Sequence, residues 1–252
     1  MANPLTDRIA LITGGAHGIG RGIADALASA GAIVVIGDIS IEDTKTPVRG
    51  RGDAVPDRSM ALHLDVSKAD EVSRCVSSVL SQFGQIDILV NNAGVAQAKD
   101  ILQITEDDWD RVLDVNLKGT FLCSKAVLPA MIDRRWGRII NISSISARRG
   151  ALYGHLHYSA SKAGQLGLTR SLARWCADKG ITVNAIAPGS VDTQTFANAT
   201  TQQQTEEVIS NTPLRRLGKP REIGALASWL CSDDAAFMTG AVLDINGGAW
   251  MG

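Results

Sequence analysis

The chain has 252 residues, 45% of them apolar, with 25 glycines, 25 basic and 26 acidic side chains and a formal charge of −1. So much apolar content excludes a charge-solvated disordered chain, and near-neutrality leaves no cationic surplus to hold a nucleic-acid backbone. No run reaches the ~18 apolar residues of a membrane span, and residues 1–8 lack a basic-then-apolar leader, so a cytoplasmic protein with neither a nucleic-acid nor a membrane partner is expected.

The apolar run at residues 9–12 stops at Thr13-Gly14-Gly15 and predicts a strand buried on both faces. Residues 18–30 repeat apolar side chains at helical spacing, and Gly31 ends the helix. Residues 32–36 predict a second strand, which runs into Gly37-Asp38. Two parallel strands need such a helical crossover, nearly always right-handed. A third strand is predicted at 60–64, a helix opened by Ser67 at 68–83, and a fourth strand at 86–90 leading into Asn91-Asn92-Ala93-Gly94. Residues 105–131 read as mostly helical, with Thr105 and Asp108 as a capping box. A fifth strand follows at 138–142, a long helix at 157–179, a sixth strand at 181–186, a helix at 221–231 and a last strand at 241–245. This rhythm predicts one α/β domain over 1–252, a doubly wound parallel sheet of about seven strands with helices on both faces. Residues 39–59 and 193–212 read as irregular, the second with room for short helices. Cys75, Cys123, Cys176 and Cys231 are about fifty residues apart, a spacing that suits buried reduced thiols and neither a zinc site nor a disulfide framework.

Thr13-Gly14-Gly15-Ala16-His17-Gly18-Ile19-Gly20 joins the first strand to the first helix. Glycines there allow a sharp turn and close backbone approach, and the helix start offers free N–H groups to a pyrophosphate. A plain tight turn would use the same residues; the flanking strand and helix favour dinucleotide binding. Asp38, eighteen residues after Gly20, stands where a carboxylate can accept hydrogen bonds from ribose hydroxyls and repel a 2′-phosphate. With His17 and no Arg or Lys in the loop, NAD is expected rather than NADP, although Arg49 and Arg51 further along bear on that choice. A solvated or capping Asp is the other reading. Tyr158 and Lys162, four apart, share one helical face. A nearby ammonium favours phenolate over phenol and makes tyrosine a usable base. Strand ends at Asn91-Asn92 and Ser143-Ser144 place further polar groups where an open parallel sheet binds ligands.

These residues, with Asp65-Val66, Asn116 and Pro188-Gly189, occur in an order that closely resembles the short-chain dehydrogenase/reductase family over nearly the whole chain. The resemblance implies a Rossmann-type fold, a homotetramer or homodimer, and an oxidoreductase acting on a small-molecule alcohol. It makes Tyr158 the proton-transfer group, Lys162 a ribose ligand that favours phenolate, Ser144 a partner of the reacting oxygen, and Asn116 the holder of a water that links Lys162 to solvent. Cofactor contacts are implied for Gly14, His17, Gly18, Ile19, Gly20, Asp38 and Ile39, with Asp65 and Val66 at the adenine. Asn91, Asn92, Ala93 and Gly94 line the cleft, and Pro188, Gly189, Val191 and Thr193 meet the nicotinamide end. Residues 193–212 would be a substrate-side lid.

Ser144 and Tyr158 are fourteen apart, one more than common members of the family have. The intervening loop, with Tyr153 and Gly154 in it, therefore differs, and Arg148 and Arg149 could reach an anionic substrate group. A solvated or interface pair is the competing reading. His155 could contact a substrate hydroxyl or simply pack the loop. With two Tyr and four Phe in the chain, no wide aromatic pocket is expected. The main expectation is an NAD-dependent dehydrogenase of a secondary alcohol, polyol or sugar-like and possibly anionic. A 3-oxoacyl-carrier-protein reductase is the alternative, which the resemblance ties to NADPH and a basic docking patch. A nucleotide-sensing protein without catalysis is the alternative of another class, and one with no need for Ser144, Tyr158 and Lys162 together.

Overall fold

A computed structural model describes residues 4–41, 59–151 and 155–252. β1 (Ile9–Thr13), α1 (Gly18–Ser29) and β2 (Ile33–Asp38) make the first parallel unit. β3 (Met60–His63), α2 (Ala69–Phe83), β4 (Ile88–Asn91), α3 (Glu106–Leu113) and α4 (Gly119–Arg134) follow. Then come β5 (Gly137–Ile142), α5 (Ser146–Arg149), α6 (Leu156–Cys176) and β6 (Ile181–Pro188). The chain closes with α7 (Gln194–Ala199), α8 (Gln202–Ser210), α9 (Pro220–Cys231) and β7 (Val242–Ile245). The strands form one sheet in the order β3-β2-β1-β4-β5-β6-β7, and every pairing is parallel.

The apolar runs have a direct physical meaning in this sheet. Successive side chains of a strand point to opposite faces. Ala10 and Ile12 of β1 pack with Ile23 and Leu27 of α1 and Ile223 and Leu230 of α9. Ile9 and Leu11 pack on the other face with Val76 and Val79 of α2 and Val127 and Met131 of α4. A strand covered on both sides cannot alternate apolar with polar, so it reads as a continuous run. Ile12, Leu27 and Leu89 are fully buried, and each contributes roughly 1.5–3 kcal/mol relative to exposure. The order reverses between β1 and β4, which opens a crevice at their carboxyl ends, where such sheets bind ligands.

Some boundaries differ from the sequence reading. Lys68, not Ser67, precedes α2. Ser67 instead gives its N–H and hydroxyl to Asp65 Oδ1, at 2.9 and 2.7 Å, a local turn that competes with capping. Residues 105–131 are not one helix: a π-helical turn at Asp114–Lys118 separates α3 from α4. The four residues of α5 are too few to leave a periodic signal, and the segment 193–212 contains α7 and α8. The capping box of Thr105 and Asp108 is present. All four cysteines are buried and none forms a disulfide. Arg49, Arg51, Tyr153, Gly154 and most of segment 39–59 lie outside the described residues.

Candidate active site

The crevice floor is the turn from β1 into α1. Gly14 and Gly18 have φ of +63° and +55°, conformations that L side chains rarely adopt. A Cβ on Gly20 would run into the Gly14 carbonyl oxygen. The turn is braced from β4: Asn92 Nδ2 donates to the carbonyls of Thr13 and Gly14 at 3.0 and 2.7 Å. The N–H groups of Asn92 and Ala93 both donate to Thr13 Oγ1 at 3.1 Å. His17 is exposed and precedes α1 without a side-chain cap bond, so its imidazole leaves the helix N–H groups uncovered. Thr193 meets the same turn. Its Cγ2 lies 3.3 Å from where a Cβ on Gly18 would stand, and its Oγ1 caps α7 by accepting from Phe196 N at 3.1 Å.

Asp38, the last residue of β2, is 9% exposed. Oδ2 accepts from Ala16 N at 3.1 Å, while Oδ1 accepts from Ser40 N and Oγ at 3.0 and 2.8 Å. The carboxylate thus bridges the glycine turn and the end of β2. Ile39 beside it is 65% exposed, an apolar side chain in solvent at the crevice edge. Ile19, in the first turn of α1, packs against the core. An open cradle of backbone N–H groups, a carboxylate at the second strand and an apolar flank fit an adenine dinucleotide.

At the other end of the crevice, Ser143 N bonds to Ile186 O and Ile145 N to Pro188 O, each at 2.8 Å, which ties the turn after β5 to β6. Ser144 sits in that turn, and its Oγ accepts from Ser146 N at 3.1 Å. Tyr158 and Lys162 project from the first turns of α6, with Lys162 Nζ 5.7 Å from the Tyr158 ring centre and donating to Ile142 O at 2.7 Å. Burial pushes the Tyr158 phenol up, and the hydrogen bond with Ser144 pulls it the other way. Burial also pushes the Lys162 amine down to about 7. Burial opposes the charge of each group, while opposite charges this close favour one another.

Asn116 lies in the π turn and is fully buried. Oδ1 accepts from Val95 N at 2.8 Å, and Nδ2 donates to Val95 O at 2.9 Å and Ser161 Oγ at 3.0 Å. Ser161 Oγ in turn donates to Tyr158 O at 2.7 Å. A Cβ on Gly94 would lie 3.2 Å from Asn116 Oδ1 and 3.4 Å from Lys162 Nζ, so a side chain there would crowd both groups. Thr13 and Ser161 were not singled out as site residues in the sequence. Ser161 had a signal, since it lies three residues after Tyr158 and so falls on the same helical face.

The structure places several of the expected contact residues in the framework around the crevice. Asn91, expected to line the cleft, turns its side chain into the protein, where Nδ2 donates to Ser124 Oγ and Asn141 Oδ1 at 3.1 and 2.8 Å. The Asn92 side chain supports the glycine turn instead of facing the cleft. Val66 packs in the core against Gly119, and Asp65 holds Ser67. Val191 is buried and makes a parallel bridge with Gly218, and Gly189 backs onto Asn246. Arg148 pairs with Asp244 at 3.2 Å and lies 4.9 Å over the Trp250 ring; Arg149 donates to Ala249 O at 2.9 Å. Arg148 thus binds β7 and Trp250, and Arg149 the tail after it. His155 packs edge-on to Tyr158 with ring centres 6.1 Å apart. Its Nδ1 is buried without a hydrogen-bond partner among the described residues.

The chain matches the family model described as enoyl-(acyl carrier protein) reductase over residues 14–249. It is 39% identical over 245 residues to the 3-oxoacyl-[acyl-carrier-protein] reductase of Staphylococcus epidermidis, covering 97% of this chain and 100% of that protein. The protein of the same name from Vibrio cholerae is 37% identical over 247 residues, covering 98% and 99%. A solved structure from Brucella melitensis, described as a short-chain dehydrogenase/reductase, glucose/ribitol dehydrogenase, aligns over 100% of both chains with a TM-score of 0.87 and 33% identity.

Proposed function

Because the chain belongs to the short-chain dehydrogenase/reductase family, and is therefore an oxidoreductase acting on CH–OH groups with a nicotinamide cofactor, we propose that it uses NAD(H) to interconvert a 3-hydroxyacyl and a 3-oxoacyl thioester. The observation that carries the chemistry is the convergence of Ser144, Tyr158, Lys162 and Asn116 at the carboxyl end of the sheet. The acyl substrate is supported by likeness to the two carrier-protein reductases along almost all of the chain. It takes the place of the polyol expectation, whose anionic form loses its support once Arg148 and Arg149 are bound to the tail. The choice of NAD rests on Asp38, whose fixed carboxylate suits two ribose hydroxyls and repels a phosphate.

The nicotinamide, when bound, accepts or supplies the hydride. The protein's residues do the rest. Tyr158 holds the proton that leaves the alcohol or reaches the ketone oxygen, and Ser144 donates to that same oxygen. Lys162, held by Ile142 O, favours phenolate and has donors left for a ribose. Gly14, Gly18, Gly20 and the start of α1 hold the pyrophosphate, and residues 193–212 cover the substrate side. Exposed Phe237, Leu214 and Trp175 support assembly as a homotetramer or homodimer. The buried thiols suit a cytoplasmic setting. Among the described residues, no helix is long and apolar enough to cross a membrane.

The test is kcat/KM for acetoacetyl-coenzyme A with NADH and with NADPH, beside ribitol with NAD. Faster turnover of the thioester with NADH supports the reading. Ribitol as the better substrate replaces it with the polyol reading, which the likeness to the Brucella structure favours. Preference for NADPH removes the role given to Asp38.

A further inference from the structure

Several buried polar side chains take no part in the chemistry, Gln165 among them. Gln165 is on α6, three residues after Lys162 and four after Ser161, and is fully buried. Its Nε2 donates to Asn116 O at 2.8 Å and to Thr120 Oγ1 at 2.7 Å. Thr120 Oγ1 donates to the same Asn116 carbonyl at 2.7 Å. Gln165 Oε1, by contrast, is buried with no hydrogen-bond partner among the described residues. A half-satisfied buried amide costs stability, whereas an apolar side chain of the same shape would not. Core packing alone therefore gives no reason for glutamine here.

The π turn gives one. A π turn has an irregular hydrogen-bond ladder that a helix does not hold by itself. Asn116 lies in the middle of it, and α6 reaches Asn116 twice: Ser161 takes its side-chain Nδ2, and Gln165 takes its main-chain oxygen. The same helix carries Tyr158 and Lys162. We propose that Gln165 is a positioning residue: by clamping the Asn116 carbonyl to α6 it keeps the π turn in register with Tyr158 and Lys162. Without the clamp the turn is free to relax towards regular helix, which would move Asn116 Nδ2 away from Ser161 and Oδ1 away from Val95 N, beside Gly94 and Lys162. A misplacement of about 1 Å at such a site costs on the order of a hundredfold in rate. The inference rests on the reading of Tyr158, Lys162 and Asn116 given above.

Tyr158 and Tyr153 are the only tyrosines in the chain, so in a Tyr153→Phe background the ultraviolet absorbance of phenolate reports Tyr158 alone. Gln165→Met keeps length and removes the donors. In that background it should lower kcat about tenfold or more, leave KM for NADH within about twofold and raise the midpoint of Tyr158 ionisation by about half a pH unit or more. Thermal melting and NADH fluorescence show that the variant is folded and loaded. Gln165→Glu covers the case in which Gln165→Met does not fold. Its carboxyl can donate only while protonated, so its kcat relative to the parent should rise as pH falls. A folded Gln165→Met with unchanged kcat and Tyr158 midpoint, or a flat ratio for Gln165→Glu, overturns the inference. Tyr158→Phe separates this from failure of the site reading. If it keeps turnover, the assignment of the base is wrong; if it is inactive while Gln165→Met matches the parent, only the clamp is wrong.

Discussion

Asp38 fixes the glycine turn through Ala16, and in the proposed reading the same carboxylate would meet the ribose. Asp38→Ala should therefore weaken NAD binding and narrow the preference over NADP by several-fold to about a hundredfold. Fluorescence titration with both reduced cofactors measures it, and an unchanged ratio would remove Asp38 from recognition. Lys162 makes a different prediction. Burial holds its amine down to about 7 in the folded chain, below the ordinary lysine value of 10.5. Below about pH 7 the amine is charged in both folded and unfolded chains, and the cost of burying the charge is fully present. Between about 7 and 10.5 the unfolded chain holds the extra proton, so stability rises with pH across that window. Lys162→Met, though inactive, should be more stable than the parent at pH 6, by on the order of 2 kcal/mol. The gain should shrink towards pH 10. Urea unfolding at several pH values checks this, and a pH-independent difference would contradict it. Gly94→Ala puts a methyl 3.2 Å from Asn116 Oδ1 and 3.4 Å from Lys162 Nζ. We expect at least a tenfold loss of kcat with a melting temperature near the parent's; loss of both together would mark a packing effect only.

At the scale of elements, the long helical stretch after residue 105 is informative because it is broken. Its start is ordinary: Thr105 Oγ1 accepts from Asp108 N at 3.1 Å, and Asp108 returns a bond to Thr105 N. Thr105→Ala should cost about 1 kcal/mol in chemical unfolding and leave turnover intact, since the cap lies one element away from the chemistry. A change in kcat would show that α3 transmits strain into the π turn. The break at Asp114–Lys118 could not be read from periodicity, because a single extra residue per turn shifts the apolar pattern no more than ordinary variation does. α5 was hidden for a similar reason. It matters because it decides where Arg148 and Arg149 point.

At the scale of the molecule, the two arginines strap the C-terminal tail to the turn that carries Ser144. Arg148 reaches Asp244 and Trp250, and Arg149 reaches Ala249. Replacing both with Met should leave the kcat/KM ratio of anionic to neutral substrates unchanged and speed hydrogen exchange in residues 246–252. A fall in that ratio with no change in exchange would restore the anion-binding expectation. The sheet order puts β1 beside β4 and β4 beside β5, so the ends of all three strands open on one crevice. The glycine turn, the Asn92 brace and the turn after β5 lie far apart in the chain and meet because their strands are neighbours.

Sequence by itself was enough for the parallel α/β architecture, since strands buried on both faces must be continuous apolar runs and parallel neighbours need helical crossovers. It was also enough for the helical pair Tyr158 and Lys162 and for Asp38 at the end of β2, because each follows from local spacing. Tertiary structure alone decided the direction of side chains at strand ends. Asn91 and Asn92 are adjacent, yet one faces the interior and the other the glycine turn, because β4 ends at Asn91 and the chain turns there, with Asn92 N bonded to Val90 O. It also decided that Arg148 and Arg149 bind the tail and that Gln165 reaches Asn116. Those contacts join residues 49 to 100 positions apart, and no periodicity along a single chain carries the distance between its folded-together parts.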